Sequence, residues 1–117
     1  MDSAAIHHLL AEAVFDGQIM CLPQGDQLDT AHLISDTVED LHHSFGTPSD
    51  AEVIAFGAAL ASKVSGMAAD AEATFAGLPV TIEDGDPIDG MDSYLITVGG
   101  KDALFSFDED EFELIMQ

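Results

Sequence analysis

The stretch SDAEVIAFGAALASKVSGMAADAEATFAGLPVTIED, residues 49–84, contains the change from helical to strand periodicity and so decides the fold. It opens on a capping box. Ser49 stands at the N-cap and Glu52 three residues on, so hydroxyl and carboxylate can satisfy one another's backbone N–H groups. Beyond the cap, Val53, Phe56, Leu60, Val64, Met67, Ala71 and Phe75 recur at intervals of three and four. That spacing predicts a long helix, closed by Gly77 and Pro79. Gly57 and Gly66 lie inside it, each costing about 1 kcal/mol relative to alanine. They either permit close contact with another helix or break this one at Gly66.

Upstream of the stretch the chain reads as helix. Ser3 caps a segment with Ile6, Leu9, Leu10, Ala13 and Val14 on one side and His8, Glu12 and Asp16 on the other, ended by Gly17. QIMCLP, residues 18–23, is a brief strand or a buried connector. A second helix runs from about Thr30 to Ser44, with Ala31, Ile34, Val38, Leu41 and Phe45 as its buried stripe. Downstream the period becomes two. PVTIED, SYLITV and ALFSF read as strands, GDPIDG as a turn, and Gly99-Gly100 as a hairpin loop. The expected class is α+β: about three N-terminal helices followed by a small antiparallel meander, in one domain spanning residues 1–117. A short acidic C-terminal segment, Asp108 to Met116, is a helical turn or an extension of the last strand.

Composition narrows the function. Of 117 residues, 47% are apolar, enough to build a core and to argue against disorder. The charged fraction, 21%, is ordinary, but 23 Asp and Glu face two lysines, Lys63 and Lys101, and no arginine. Surfaces normally mix both signs; here the cations have been removed. A net charge of −21 opposes compaction and steers the protein toward positive partners. Direct nucleic-acid binding is close to excluded without a basic footprint, and anionic lipid headgroups would repel the chain. A lone Cys21 suits a reducing compartment. With no signal-peptide pattern at the N-terminus and no apolar run of spanning length, a cytoplasmic location is expected.

The anions gather late in the chain. Glu83, Asp84, Asp86, Asp89 and Asp92 surround one turn, Asp102 adjoins another, and Asp108, Glu109, Asp110, Glu111 and Glu113 crowd into six positions. A solvated sheet edge accounts for acids as such, since edge charges block strand-to-strand aggregation. It does not account for missing cations, because lysine protects an edge equally well. The sharper reading is a surface that imitates nucleic-acid phosphates. Five carboxylates over six residues span roughly 8 Å if helical or roughly 18 Å if extended. Both spacings lie within a factor of about two of the duplex charge density, one per ~1.7 Å. Phosphate contacts need no particular base, so spaced carboxylates suffice to occupy a basic groove. Phe105, Phe107, Phe112 and Ile115 would hold the strip on the core.

In size, charge and lack of arginine the chain resembles the acidic DNA-mimic inhibitors, many of them phage-encoded anti-CRISPR or anti-restriction proteins. Such proteins share no common sequence or fold, so no residue is carried over from them. The resemblance implies a non-enzymatic inhibitor without cofactor, whose partner is a basic nucleic-acid-binding protein or complex. A homodimer would lengthen the anionic strip.

Other chemistry has thinner support. His32, Asp36, Glu39 and His43 share one helical face, but its ends are about 16 Å apart. A metal site there would need ligands from a second helix, such as His7, His8 or Glu12. DGDPIDGMD lacks the calcium-loop pattern, although Asp84, Asp86 and Asp92 could gather an ion loosely. No nucleophile elbow, H-E-x-x-H, phosphate loop or dinucleotide turn is present. Two rival readings share the charge: an acidic immunity protein or secretion chaperone with an exposed apolar anchor, and a salt-adapted small domain.

Overall fold

The computed structural model describes residues 3–22, 27–67, 71–85, 92–107 and 112–116. Three helices, α1 (Ser3–Phe15), α2 (Gln27–Phe45) and α3 (Asp50–Val64), precede five strands. These are β1 (Ala71–Phe75), β2 (Leu78–Asp84), β3 (Asp92–Val98), β4 (Lys101–Phe107) and β5 (Phe112–Met116). The strands form one antiparallel sheet in the order β1-β2-β3-β4-β5. The expected α+β order of helices followed by a meander is therefore what the chain adopts.

Two boundaries differ from expectation. The capping box forms as read: Ser49 Oγ accepts from the Glu52 N–H and Glu52 accepts from the Ser49 N–H. But α3 stops at Val64, because Gly66 takes a φ of +78° that only glycine adopts without strain. Ala71 and Phe75 belong to β1, and Ala76-Gly77 are the two-residue turn of the β1–β2 hairpin, both at positive φ. The extra turn of helix was plausible because positions four apart share a face in a strand as well as in a helix. Met67, placed in the helical stripe, is 73% exposed. The second difference is at the C-terminus. Phe112–Met116 neither coil nor prolong β4, but turn back and pair with it as β5.

Gly57 permits close contact. A β-carbon there would stand 2.8 Å from Ile19 Cδ1, 3.1 Å from Ile34 Cγ2 and 3.2 Å from Leu10 Cδ2. Ile19 comes from QIMCLP, of which residues 18–22 form a connector rather than a strand, with Ile19 and Leu22 buried. Leu22 is tied there by its N–H donating to Thr30 Oγ1.

The sheet has two unlike faces. Ala71, Phe75, Val80, Ile82, Tyr94, Ile96 and Val98 alternate inward and join Leu10, Ile34, Leu41, Val53, Phe56 and Leu60 in one core. Phe56 meets Phe75 edge to face at 6.0 Å between centroids. The alternate positions Glu72, Thr74, Pro79, Glu83 and Asp102 are exposed. One face on helices and one toward water is the common arrangement of an antiparallel sheet. Among the described residues no helix is long and apolar enough to cross a membrane.

Candidate partner-binding surface at one end of the sheet

In an antiparallel meander, alternate connections fall at opposite ends. The β1–β2 and β3–β4 turns, Ala76-Gly77 and Gly99-Gly100, mark one end. The other end is where β2 finishes, β3 begins, β4 finishes and β5 begins. Register fixes this closely: Asp84 lies opposite Tyr94, Asp92 opposite Phe107, and Phe107 opposite Phe112. At ~4.8 Å per strand, these four strand ends span about 14 Å.

The predicted carboxylates can now be placed. Glu83 and Asp84 close β2 and are exposed, and Asp92 opens β3. Glu113 is the second residue of β5, opposite Ser106. Asp86 and Asp89 lie outside the described residues, as do Asp108, Glu109, Asp110 and Glu111. The described strand ends on either side of both stretches stand together at this one end. Asp102 does not. It sits beside the glycine turn at the opposite end, where its carboxylate accepts from Thr97 Oγ1 at 2.9 Å.

Neither lysine is exposed at this end. Lys101 is exposed next to Gly99-Gly100. Lys63, in the last turn of α3, lies beneath the acidic end with its side chain 2% exposed, and its Nζ stands 2.8 Å from Asp84 Oδ1. Asp84 is 78% exposed, so the pair spans the boundary between core and water. Near a helix C-terminus an ammonium also meets the favourable end of the helix dipole. Where β2 ends, Gly85 N–H donates to the Ser93 carbonyl at 3.0 Å, and a β-carbon on Gly85 would come within 2.8 Å of Ser93 Oγ.

Lys63 was not legible from its residue type. The signal was present, since Val53, Phe56, Leu60 and Lys63 continue the buried face of α3 at spacings of three, four and three. Its charge made it look like a surface residue, while Val64, which was placed in the stripe, is only half-buried.

The histidine face of α2 divides into separate contacts. His32 stacks against His7 of α1 at 4.4 Å between ring centroids, and His43 lies 5.9 Å from His42. His8 pairs with Glu12 at 3.2 Å instead of crossing to α2. Among the described residues no three such side chains gather closely enough to hold a metal. The carboxylates of α2 nonetheless feel one another. Partial burial pushes Asp36 and Asp40 up from the ordinary carboxylate value; Glu39 adds to the shift of Asp36, and Asp36 and Glu39 add to that of Asp40. Glu52 moves the other way, held down by the N–H groups of Ser49 and Gly77.

No family model matches the chain, and no curated protein or solved structure shows significant similarity to it.

Proposed function

We propose that the acidic end of the sheet binds the basic groove of a DNA- or RNA-binding protein by imitating phosphates, and thereby inhibits it. The observation that supports this reading is topological. Two acid-rich stretches far apart in sequence have their flanking strand ends side by side, on a surface where neither lysine is exposed. Residues 83–92 and 108–113 hold ten carboxylates, and the strand ends that flank them span about 14 Å. A duplex of that length carries about eight phosphates, so the charge is of the right order even with Asp84 neutralised by Lys63. The concrete version is a phage inhibitor of a bacterial defence complex, acting in the cytoplasm.

The test is capture of partners from bacterial lysate on the immobilised protein, followed by elution with a salt gradient and displacement with duplex DNA. A basic nucleic-acid-binding protein that leaves at moderate salt and is displaced by DNA is the expected result. Reversing Glu109, Asp110 and Glu111 to lysine together should abolish that capture, whereas single alanine changes should matter little. Unchanged capture by the triple reversal would end the proposal.

A second reading has one observation in its favour. Phe15 is 76% exposed, Leu28 55% and Met67 73%, and an immunity protein or chaperone needs such apolar anchors. It predicts a salt-resistant partner that DNA does not displace.

A further inference from the structure

The helices occupy one face of the sheet, and the opposite face has a distinct composition. Register places Glu72, Thr81, Thr97 and Asp102 in one row across β1 to β4, and Glu83, Leu95, Leu104 and Ile115 in the next across β2 to β5. Among the described side chains, Thr81, Leu95 and Thr97 are half-buried at the middle of this face, while Glu72, Glu83 and Asp102 are exposed around them. A neutral centre with a charged border is the anatomy of a protein–protein interface, in which charge is depleted from the core and kept to the rim.

We infer that this open face is part of the binding surface, and that the basic partner extends from the acidic end across Thr81, Leu95 and Thr97. The inference rests on the proposed function and deepens it. Two observations select the occupant. The described border is anionic at Glu72, Glu83 and Asp102, so a surface with a cationic border complements it. A second copy of the chain would instead set those carboxylates against themselves at a net charge of −21 each. Size points the same way. Three strand spacings by five residues give about 250 Å² of plane, well short of the ~800 Å² per partner of a stable interface. The face therefore functions jointly with the adjoining acidic end, and Glu83 belongs to both.

The inference gives the contact two kinds of energy. Carboxylates at the end attract and orient the partner over distance, in a salt-dependent way. Leu95, Thr81 and Thr97 keep part of their surface exposed in the free chain, and covering it at contact excludes water and adds affinity that salt does not screen. A pure phosphate mimic would lack the second component.

The experiment measures binding of a purified bacterial histone-like DNA-binding protein at about 0.15 M salt. Three chains are compared: the natural sequence, Leu95→Lys with Thr97→Lys, and Asp16→Asn with Asp40→Asn. Both variants change the net charge by the same two units, but the second does so on the helical layer. The face variant should bind more than about tenfold more weakly than the helical variant, as like charges opposed across an interface require. Equal weakening by the two variants overturns the inference and leaves the acidic end as the whole site. Failure of the natural chain to bind overturns the proposed function, and this inference with it. Should the face variant not fold, amide shifts of Thr81, Leu95 and Thr97 in the natural chain decide: perturbation by the probe supports the inference and silence refutes it.

Discussion

Lys63 and Asp84 should respond to substitution in opposite ways, although each substitution removes the same ion pair. The ammonium is buried, the carboxylate is exposed, and they stand 2.8 Å apart. At that distance the attraction is about 1.5 kcal/mol at the dielectric of water and about 6 kcal/mol at an effective dielectric of about 20. Because Asp84 remains in water, screening keeps the value near the lower end, about 2 kcal/mol. Asp84→Asn leaves the buried ammonium with a weaker, neutral acceptor, and should cost about 1–3 kcal/mol. Lys63→Met keeps the apolar stem and removes the desolvation cost of a buried charge, so it should fall within about 1 kcal/mol of the natural chain. Net charge moves by one unit in opposite directions in the two variants, and screening beyond ~8 Å at physiological salt keeps that contribution small. For a chain of this size 1 kcal/mol corresponds to about 3–6 °C in Tm. Thermal unfolding followed by circular dichroism should therefore show Asp84→Asn melting about 3–18 °C low and Lys63→Met within about 6 °C of the natural chain. The double variant should match Lys63→Met alone. A Lys63→Met protein less stable than Asp84→Asn would refute this account of the pair.

Three further outcomes test the fold that positions the site. Ala76 holds a φ of +52° in a two-residue hairpin turn whose favoured residues are Asn-Gly; Ala76→Asn should raise stability to chemical denaturation by about 0.5–1 kcal/mol, and a loss would contradict the turn assignment. Gly57→Ala gains about 1 kcal/mol of helix propensity but forces a methyl against Ile19, Ile34 and Leu10, at about 1–3 kcal/mol; the melting temperature should fall, and a rise would show that the three-way contact is looser than described. Glu52→Ala removes acceptors for the Ser49 and Gly77 N–H groups and should cost about 1 kcal/mol at neutral pH. The Glu52 carboxyl is held below its ordinary value in the folded chain. Its stabilisation is therefore complete above the ordinary glutamate range and lost as pH falls through the lowered value, so the two proteins should converge in acid denaturation curves.

Much of the fold was legible because its signals were local. A cap at Ser49, a period of two after Pro79 and a Gly-Gly turn each involve residues a few positions apart, and each formed as read. The reading faltered where two periodicities coincide. Ala71 and Phe75 suit either element, and only the backbone at Gly66 separates them. Strand β5 was hidden because Phe112–Met116 is too short to show its own alternation, and its place depends on pairing with β4. The candidate site was legible in composition but not in arrangement. Whether the two acidic stretches meet is a matter of parity: two strands, β3 and β4, separate them, so the chain returns to the same end. An odd number would have sent them to opposite ends, and no count of carboxylates contains that information.

Parity also bears on why the chain tolerates its own charge. Carboxylates on the core side of the sheet would each carry a desolvation cost, and along α2 partial burial, with crowding by neighbouring acids second, pushes Asp36 and Asp40 up. Placed after β2 and around the β4–β5 junction, carboxylates act at the end of a sheet whose core is already closed by Val80, Ile82, Ile96 and Val98. At Glu83 and Asp84, both exposed, the repulsion falls on side chains that face water rather than on packing. Lys63 sits where it offsets that repulsion from below, at Asp84, the exposed carboxylate on the inward-alternating side of β2. An exposed lysine or arginine at this end would stabilise the free chain further by pairing with its neighbours. It would also satisfy in advance the field that a cationic partner is proposed to relieve, and so lower the free-energy difference between free and bound states. Depletion of cations is thus unfavourable for the isolated protein and favourable for the complex, a combination that a merely solvated edge does not explain.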